Sequence, residues 1–459
     1  MTSGLFEDFD EVSAKQWKQK IQFDLKGADY NETLIWKTNE AISVKPFYNA
    51  EDLKTLPEIS NTKATQWQIC QAIFVADVEK SNKKAIKVIE RGAESISFII
   101  PNKRISIENL LKNLHNIPVF LELQFLSESF NKKLFTPSNA LEKQENKIYI
   151  QTDIIGNLVK SGNWFNTLND DFYKFKSIIK FSKSFHINAS TYQNAGATMV
   201  QQLAYALAHA NEYLNVLESD FSSEEKQSLK ITFNISIGSN YFFEIAKLRA
   251  LRTLWRTLAS EYNINAQCHI IATPTKRNKT IYDFNTNLLR TTTECMSAIL
   301  GGADTICNLP YDAIYKKTNS FSERLLRNQL LILKHESYFN KVNNPTDGAY
   351  YIETLTYQLA EKALTLFKDI EQHGGFLKQL KDGTIQRKIK ESAKKEQQQF
   401  DVNEHILVGT NKYSNPNDSM KHELELFPFV KTNQRKTLIE PIIEKRLAEA
   451  LEQNRLKNE

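Results

Sequence analysis

Hydrophobic and polar residues follow two different periods along this chain, and the change from one to the other predicts its elements. Residues 199–214 read MVQQLAYALAHANEYL, with apolar side chains recurring every three or four positions. That spacing places them on one face of an α-helix. The preceding run SIIKFSKSFHI, at 177–187, predicts a strand. The turn between them, NASTYQNAGA at 188–197, is of the kind that carries chemistry in many α/β proteins.

The same alternation continues from about residue 65 to about residue 350. Eight runs predict strands, at residues 67–75, 95–100, 119–125, 147–154, 177–187, 229–236, 266–273 and 303–309. Helical patterns separate most of these runs, and repeated βα units predict a parallel sheet. A count of eight favours an α/β fold of the (β/α)8 TIM-barrel type. No helical pattern precedes 147–154, so this run is either a barrel strand or an excursion from the barrel.

The pattern divides the chain into three segments. Residues 1–60 form an extended N-terminal arm, which has too little core of its own to fold alone. Three large aromatic side chains in the arm predict a subunit interface, namely Trp36, Phe47 and Tyr48. Residues 61–400 contain the barrel. Residues 401–459 form a helical C-terminal linker, whose last part is predicted as one amphipathic helix with Pro441 in its first turn.

Composition and charge exclude several classes of protein. The chain has 59 basic and 54 acidic residues, a balance that argues against nucleic-acid binding. No apolar run approaches the roughly 18 residues of a membrane span, and the acidic start lacks the apolar core of a secretory signal. The four cysteines form no CxxC pair and are expected to be free thiols in a reducing compartment, hence the cytoplasm.

Short motifs of catalysis or metal binding are absent from the sequence. There is no GxGxxG, no P-loop and no HExxH, so we expect no metal site. The pairs Gly301-Gly302 and Gly374-Gly375 follow helical patterns and are expected to end those helices. His269 lies in a predicted strand, where it is either a hydrogen-bonded core residue or an acid or base at the barrel mouth.

Five stretches in the same order resemble the coenzyme-B12-dependent acyl-CoA mutases, and methylmalonyl-CoA mutase in particular. They occupy residues 24–53, 194–214, 287–312, 324–356 and 370–375, and the last of them reads IEQHGG. The resemblance implies a holoenzyme of propionate metabolism. That holoenzyme interconverts methylmalonyl-CoA and succinyl-CoA by adenosylcobalamin radical chemistry.

Within that family the chain resembles the small (beta) subunit. Active large (alpha) subunits continue from the barrel into a flavodoxin-like B12-binding domain with a DxHxxG motif, whose histidine ligates cobalt. No histidine here has Asp two residues before it or Gly three residues after it. The resemblance therefore implies that the large subunit is the partner and holds adenosylcobalamin. This chain is expected to contain no B12-binding domain and to bind no cofactor.

The resemblance also indicates which catalytic positions have changed. Active subunits have a catalytic histidine within a stretch like HCQTSG, and ungapped alignment puts Ile271 at that position. His269 lies two residues earlier, on the same face of the strand. In the turn, Ser190 and Thr191 replace the Tyr and His of SGYHIREAGA, while Gln193 matches a substrate-facing residue. These replacements predict that the turn holds the fold and has lost its chemistry.

Two functions remain open for this chain. The leading hypothesis is a non-catalytic small subunit that stabilises or orients the large one. The alternative is a catalytic substrate barrel whose cobalamin domain is a separate chain, with Gln193 and His269 as working residues.

About half of the bulky strand residues should face helices, and the rest are expected to close any axial channel. Those residues are Phe98, Phe120, Phe125, Phe233, Ile270 and Ile271.

Overall fold

Eight parallel strands surrounded by helices occupy the middle of the chain, in a computed structural model that describes residues 10–53, 60, 62–135, 147–431 and 435–459. A small antiparallel pair, β1 (Trp36–Lys37) and β2 (Ser43–Val44), precedes them. The eight are β3 (Gln68–Phe74), β4 (Ser95–Ile100), β5 (Pro118–Leu123), β6 (Lys147–Gln151), β7 (Ser184–Asn188), β8 (Lys230–Ile237), β9 (Cys268–Pro274) and β10 (Thr305–Cys307).

These strands form a nearly closed barrel of the TIM type, as predicted. Their order in the sheet is β6-β5-β4-β3-β10-β9-β8-β7, and every neighbouring pair is parallel. The terminal strands β6 and β7 approach each other, but among the described residues they share no ladder hydrogen bonds. The barrel therefore has one seam, between β6 and β7.

The helices lie on the outside of the barrel and at its ends. Those preceding the fifth barrel strand are α1 (Ala14–Asp24), α2 (Tyr30–Leu34), α3 (Val78–Glu90), α4 (Ile107–Leu110), α5 (Glu128–Leu134), α6 (Ile154–Ser161) and α7 (Leu168–Ser182). Those that follow are α8 (Ser190–Asn194), α9 (Met199–Leu217), α10 (Ser223–Ser228), α11 (Tyr241–Glu261), α12 (Thr286–Leu300) and α13 (Ser320–His335). The last are α14 (Tyr350–Gln372), α15 (Gly375–Lys381), α16 (Thr384–Asp401) and α17 (Glu449–Lys457). No helix among the described residues is long and apolar enough to cross a membrane.

The run at 147–154 is a barrel strand, which answers the question its sequence left open. Lys147–Gln151 pairs with β5 and forms one edge of the seam. The prediction for 177–187 was wrong in its first half, because α7 continues to Ser182 and the strand begins only at Ser184. Phe175, Ile178 and Ile179 are buried along α7 at helical spacing, so the apolar run belongs to a helix face.

The C-terminal segment differs from its prediction as well. Residues 438–448 are irregular, and only Glu449–Lys457 is helical. Four backbone N–H groups of this segment donate to backbone carbonyls of the barrel over 2.8–3.1 Å. The pairs are Ile439 with Gly162, Ile442 with Val159, Lys445 with Asn194, and Leu447 with Arg277. These acceptors lie beyond the carboxyl ends of the strands. The segment therefore runs across the C-terminal mouth of the barrel, and its hydrogen bonds to the barrel replace those of a helix.

Candidate functional site

The barrel interior is lined mainly by small polar side chains. Phe98, Phe233 and Ile270 belong to the apolar clusters between the sheet and the helices, so they face outward. Alternation along each strand then turns the intervening residues inward. They include Ser95, Ser97, Gln151, His186, Thr232, Asn234 and Thr305. Of the bulky residues named from the sequence, only two lie in the interior cluster, Phe120 and Ile271.

Three rings nevertheless lie across this interior. The rings of Phe120 and Tyr149 stack at 5.2 Å between centroids, and the imidazole of His269 lies 5.6 Å from Phe120 and 6.3 Å from Tyr149. Phe125 lies beyond the end of β5 and packs edge-on against Phe130 instead, with centroids 5.1 Å apart. Phe120 is therefore the only one of the four named phenylalanines that obstructs the interior.

His269 is hydrogen-bonded in this layer, and a third of its side chain is exposed. Its Nε2 and the hydroxyl of Thr305 lie 2.9 Å apart, and its Nδ1 lies 3.9 Å from the carboxylate of Asp304. Burial lowers the pKa of the imidazole, and Asp304 only partly opposes that shift. A neutral ring in this position packs against its aromatic neighbours. Asp304 is itself engaged, since it accepts from Arg252 over 2.8 Å and from the backbone N–H of Ile270 over 2.7 Å.

The position aligned with the family's catalytic histidine contains no acid or base. Ile271 faces inward on β9, is 4% exposed, and lies beside Asn234 in register. It packs in the interior cluster with Cys70, Phe120 and Cys307. His269 and Ile271 share one face of the strand, as the alternation requires.

The turn at 188–197 is tied into the protein by its own polar side chains. The amide of Gln193 donates to Glu244 Oε1 over 3.2 Å, and its oxygen accepts from Lys247 Nζ over 3.0 Å. Glu244 and Lys247 are themselves ion-paired at 2.6 Å and fully buried. Thr191 is 4% exposed, and the backbone N–H of Ser190 donates to the preceding Asn188. The residue predicted to face substrate is therefore engaged with helix α11.

The small residues of Ala-Gly-Ala are explained by close approach of the C-terminal helices. Gly196 has φ +98°, and a Cβ there would lie 2.6 Å from Ala393 and 2.8 Å from the guanidinium of Arg277. Arg277 in turn pairs with Glu396 of α16 at 2.6 Å. Asn194 accepts from the hydroxyl of Thr275 over 2.7 Å. The turn thus joins the barrel to the helices that cover its C-terminal mouth.

Glu122 is a polar interior residue that the sequence analysis missed. It lies opposite Gln151 in the β5–β6 ladder and projects inward from an otherwise apolar strand. Burial raises the pKa of its carboxyl, against the opposing influence of Lys160 and Lys276. The only signal in the sequence is one acid within VFLELQF, at residues 119–125.

A large cavity lies at the opposite, N-terminal end of the barrel. Its volume is about 860 Å³, and it extends from the amino ends of the strands to helices α11 and α14. Residues that line it include Tyr149, Lys230, Thr232, Arg252, Arg256 and His269. Active sites of TIM barrels lie at the C-terminal face, so this cavity is on the face usually associated with stability.

The three aromatic residues predicted to form a subunit interface pack against helices of this chain. Phe47 lies edge-on to Trp17 of α1 at 6.0 Å, and Tyr48 lies 5.1 Å from Tyr351 of α14. Trp36 contacts Phe243 of α11 at 5.8 Å but remains 51% exposed. Residues 1–9 and 54–59 of the arm lie outside the described residues. The interface role of these residues remains a prediction.

Several known proteins are similar in sequence to this chain. The family model for methylmalonyl-CoA mutase matches residues 135–457. A methylmalonyl-CoA mutase small subunit from Porphyromonas gingivalis is 35% identical, over 90% of this chain and 71% of that protein. A small subunit from Streptomyces virginiae is 25% identical, over 84% of this chain and 68% of that protein. The human mitochondrial methylmalonyl-CoA mutase is 28% identical, over 87% of this chain but only 60% of its own length. This chain belongs to the methylmalonyl-CoA mutase family.

Proposed function

We propose that this chain is the small, non-catalytic subunit of a cytoplasmic heterodimeric methylmalonyl-CoA mutase. In this proposal the large (alpha) subunit holds adenosylcobalamin and interconverts methylmalonyl-CoA and succinyl-CoA. This chain stabilises or orients that subunit. Two relatives of similar sequence, from Porphyromonas gingivalis and Streptomyces virginiae, are named small subunits, which supports the proposal.

The engagement of Gln193 is the observation that carries the proposal. Both ends of its amide hydrogen-bond to a buried ion pair, so the side chain is not free to contact a substrate. Serine and threonine occupy the neighbouring positions 190 and 191, and isoleucine occupies position 271. A general acid or base must lie within hydrogen-bond reach of the proton that it transfers. None of these positions offers a group of suitable pKa.

The residues present do not fit cobalamin in the manner of the family. The sequence lacks the DxHxxG motif that would supply a cobalt ligand. His209 is fully buried, with one nitrogen paired to Asp153 and the other to Tyr192. Residues 438–448 also run across the C-terminal mouth, where a corrin ring would have to approach the barrel. This chain is therefore not expected to hold cobalamin itself.

The proposal assigns residues 1–60 to the subunit interface, 61–400 to the barrel and 401–459 to the linker and C-terminal helix. Trp36 is the interface residue that can be tested most directly, because half of its surface is exposed. Deletion of the whole arm is less informative, since Ile42 and Val44 pack into the main core. Trp36→Ala should weaken binding to the large subunit by about tenfold or more, with only a small decrease in the melting temperature of the isolated chain from the lost contact with Phe243. Undiminished affinity would show that Trp36 is not part of the interface.

The mutase proposal is tested by assaying the chain with and without a co-expressed large subunit. The chain alone should form no succinyl-CoA from methylmalonyl-CoA and adenosylcobalamin. The large subunit should co-purify with it and show turnover. Succinyl-CoA formed by the isolated chain, or failure of any longer cobalamin-binding partner to co-purify, would contradict the proposal.

The polar lining of the interior favours a second candidate function. Ser97, Thr232 and Asn234 are side chains suited to a channel for a polar substrate arm, and the cavity opens onto Thr232. The chain would then be a catalytic substrate barrel that requires a separate cobalamin protein. His269→Gln separates the two candidates in the reconstituted complex. Unchanged turnover supports the non-catalytic subunit, and a loss of turnover with intact complex formation supports the catalytic barrel.

A further inference from the structure

Two of the four free cysteines lie directly opposite each other inside the barrel. Cys70 on β3 and Cys307 on β10 are register partners in the parallel ladder. Both belong to the interior cluster around Phe120. The other two cysteines are Cys268 and Cys295, and both pack in the cluster between sheet and helices. The chain therefore contains one cysteine pair on neighbouring strands with both side chains on the same face.

The spacing of this pair matches the requirements of a disulfide. Neighbouring strands lie about 4.8 Å apart, and residues joined by a disulfide have Cα atoms roughly 4.4–6.8 Å apart. Cys70 and Cys307 are partners in register, so no shift along either strand is needed to bring them together. The two thiols are close enough for each to influence the pKa of the other. A bond between the sulfurs therefore needs no change in the pairing of the two strands.

The two thiols differ in environment in a way that assigns their roles. The neighbouring Cys70 and the backbone N–H of Ala72 lower the pKa of the Cys307 thiol, against the effects of burial and of Glu122. The neighbouring Cys307 and complete burial raise the pKa of Cys70. Cys307 is also the last residue of β10 and is 9% exposed, whereas Cys70 is fully buried. Thiolates react with oxidants, so Cys307 is the sulfur that reacts first.

We propose that Cys70 and Cys307 form a peroxide-oxidisable dithiol, a modification site inside the barrel. The thiolate of Cys307 attacks one oxygen of hydrogen peroxide, the O–O bond breaks, and hydroxide leaves with the electron pair. The sulfur of Cys70 then attacks the sulfenic acid on Cys307. The S–O bond breaks, and the hydroxyl leaves as water with the thiol proton of Cys70. The two thiols lose two electrons and two protons, and peroxide is reduced to two waters.

The disulfide would join β3 to β10, which is the shortest strand of the barrel. Only three residue pairs connect these two strands. A covalent link between residues so far apart in the chain restricts the unfolded state, so the oxidised protein should melt at a higher temperature than the reduced one. A thiol reductant reverses the bond and restores the lower melting temperature. This site is independent of the proposed mutase function, since it concerns only this chain.

The test is oxidation of the intact folded chain with hydrogen peroxide, followed by unfolding, alkylation, digestion and mass spectrometry. We expect a peptide crosslinked through Cys70 and Cys307, a loss of 2 Da by the chain, and reversal by dithiothreitol. In Cys70→Ser the sulfenic acid should persist and be trapped by dimedone on Cys307. Cys307→Ser should show neither crosslink nor adduct on Cys70.

Two matched variants control for general oxidation of buried thiols. Cys268→Ser and Cys295→Ser remove the other two cysteines and should leave the crosslink unchanged. In the wild type, Cys307 should react about ten times faster than either of them. A crosslink that forms only after unfolding, equal reaction of all four thiols, or no reaction of Cys307 in the native chain would each overturn the proposal. The wild-type crosslink decides the question even if a serine variant fails to fold.

Discussion

A carboxylate closes the seam between β6 and β7, and its replacement should destabilise the whole barrel. Asp153 follows β6 and accepts the backbone N–H of Asn188, the last residue of β7, over 2.7 Å. Its other oxygen accepts from the hydroxyl of Tyr213 over 2.6 Å and from the N–H of Gly156 over 2.7 Å, and lies 2.9 Å from His209 Nε2. The side chain of Asp153 is only 8% exposed. These bonds connect the strands where no ladder exists.

Asp153→Asn keeps the shape of the side chain and removes one acceptor and the charge. The amide nitrogen would face the N–H of Asn188, and an unpaired buried donor costs about 1–3 kcal/mol. The remaining bonds would change from charge-assisted to neutral, at roughly 1 kcal/mol each. Relief from burying a charge offsets part of this loss, since desolvation of an ion costs several kcal/mol. The expected net decrease in the free energy of unfolding is about 3 kcal/mol.

Urea unfolding followed by circular dichroism measures this decrease as a shift of the midpoint at constant slope. Asp77→Asn is the matched control, because Asp77 also caps a helix, α3, by accepting the N–H of Lys80 over 2.8 Å. That bond is exposed, and Asn is an equally good cap, so the control should lose less than about 0.5 kcal/mol. A difference between the two variants below about 1 kcal/mol would refute the role of Asp153 in closing the seam.

Further predictions concern pH and backbone packing. Burial lowers the pKa of His186 from 6.5, with Asp153 opposing, so the unfolded chain binds a proton that the folded chain does not. The free energy of unfolding should therefore fall as pH decreases below about 6.5, and His186→Asn should reduce that slope in urea titrations from pH 7 to pH 5. Gly196→Ala should lower the melting temperature and cost more than about 2 kcal/mol through positive φ and contact with Ala393. Gly383 has φ +73° and open space around it, so Gly383→Ala should cost only the backbone strain. Equal losses of stability in the two variants would contradict the packing explanation.

The barrel was predictable because its signals are local. Most of the strands have an apolar run of strand length, and α9 has an amphipathic pattern with the capping box Thr198–Gln201 at its start. The error at 177–182 arose because an apolar run next to a strand has the same composition as one face of a helix. The error at 438–448 arose because the backbone there finds its hydrogen-bond partners more than 160 residues away in the chain. Periodicity along the chain contains no information about such partners.

The candidate site was less predictable, because it depends on which face of each strand points inward. A shift of one residue exchanges the two faces, and β8 illustrates this: Phe233 faces the helices while Thr232 and Asn234 line the interior. The same limit applies to the hydrogen bonds that engage the turn. Gln193 is 51 positions from Glu244, and only the fold shows that they are hydrogen-bonded.

The engagement of Gln193 and the tightness of the turn have a common physical cause. A substrate-facing residue must leave its polar atoms available, which costs stability when the site is empty. In this chain Gln193, Glu244 and Lys247 use those atoms on one another, and Lys247 also donates to Gln202 over 2.9 Å. The resulting network connects the turn to α9 and α11, and Gly196 allows α16 to pack on the other side. A turn bound on both sides can hold a barrel and its covering helices in a fixed relation, which is what a subunit that orients its partner requires.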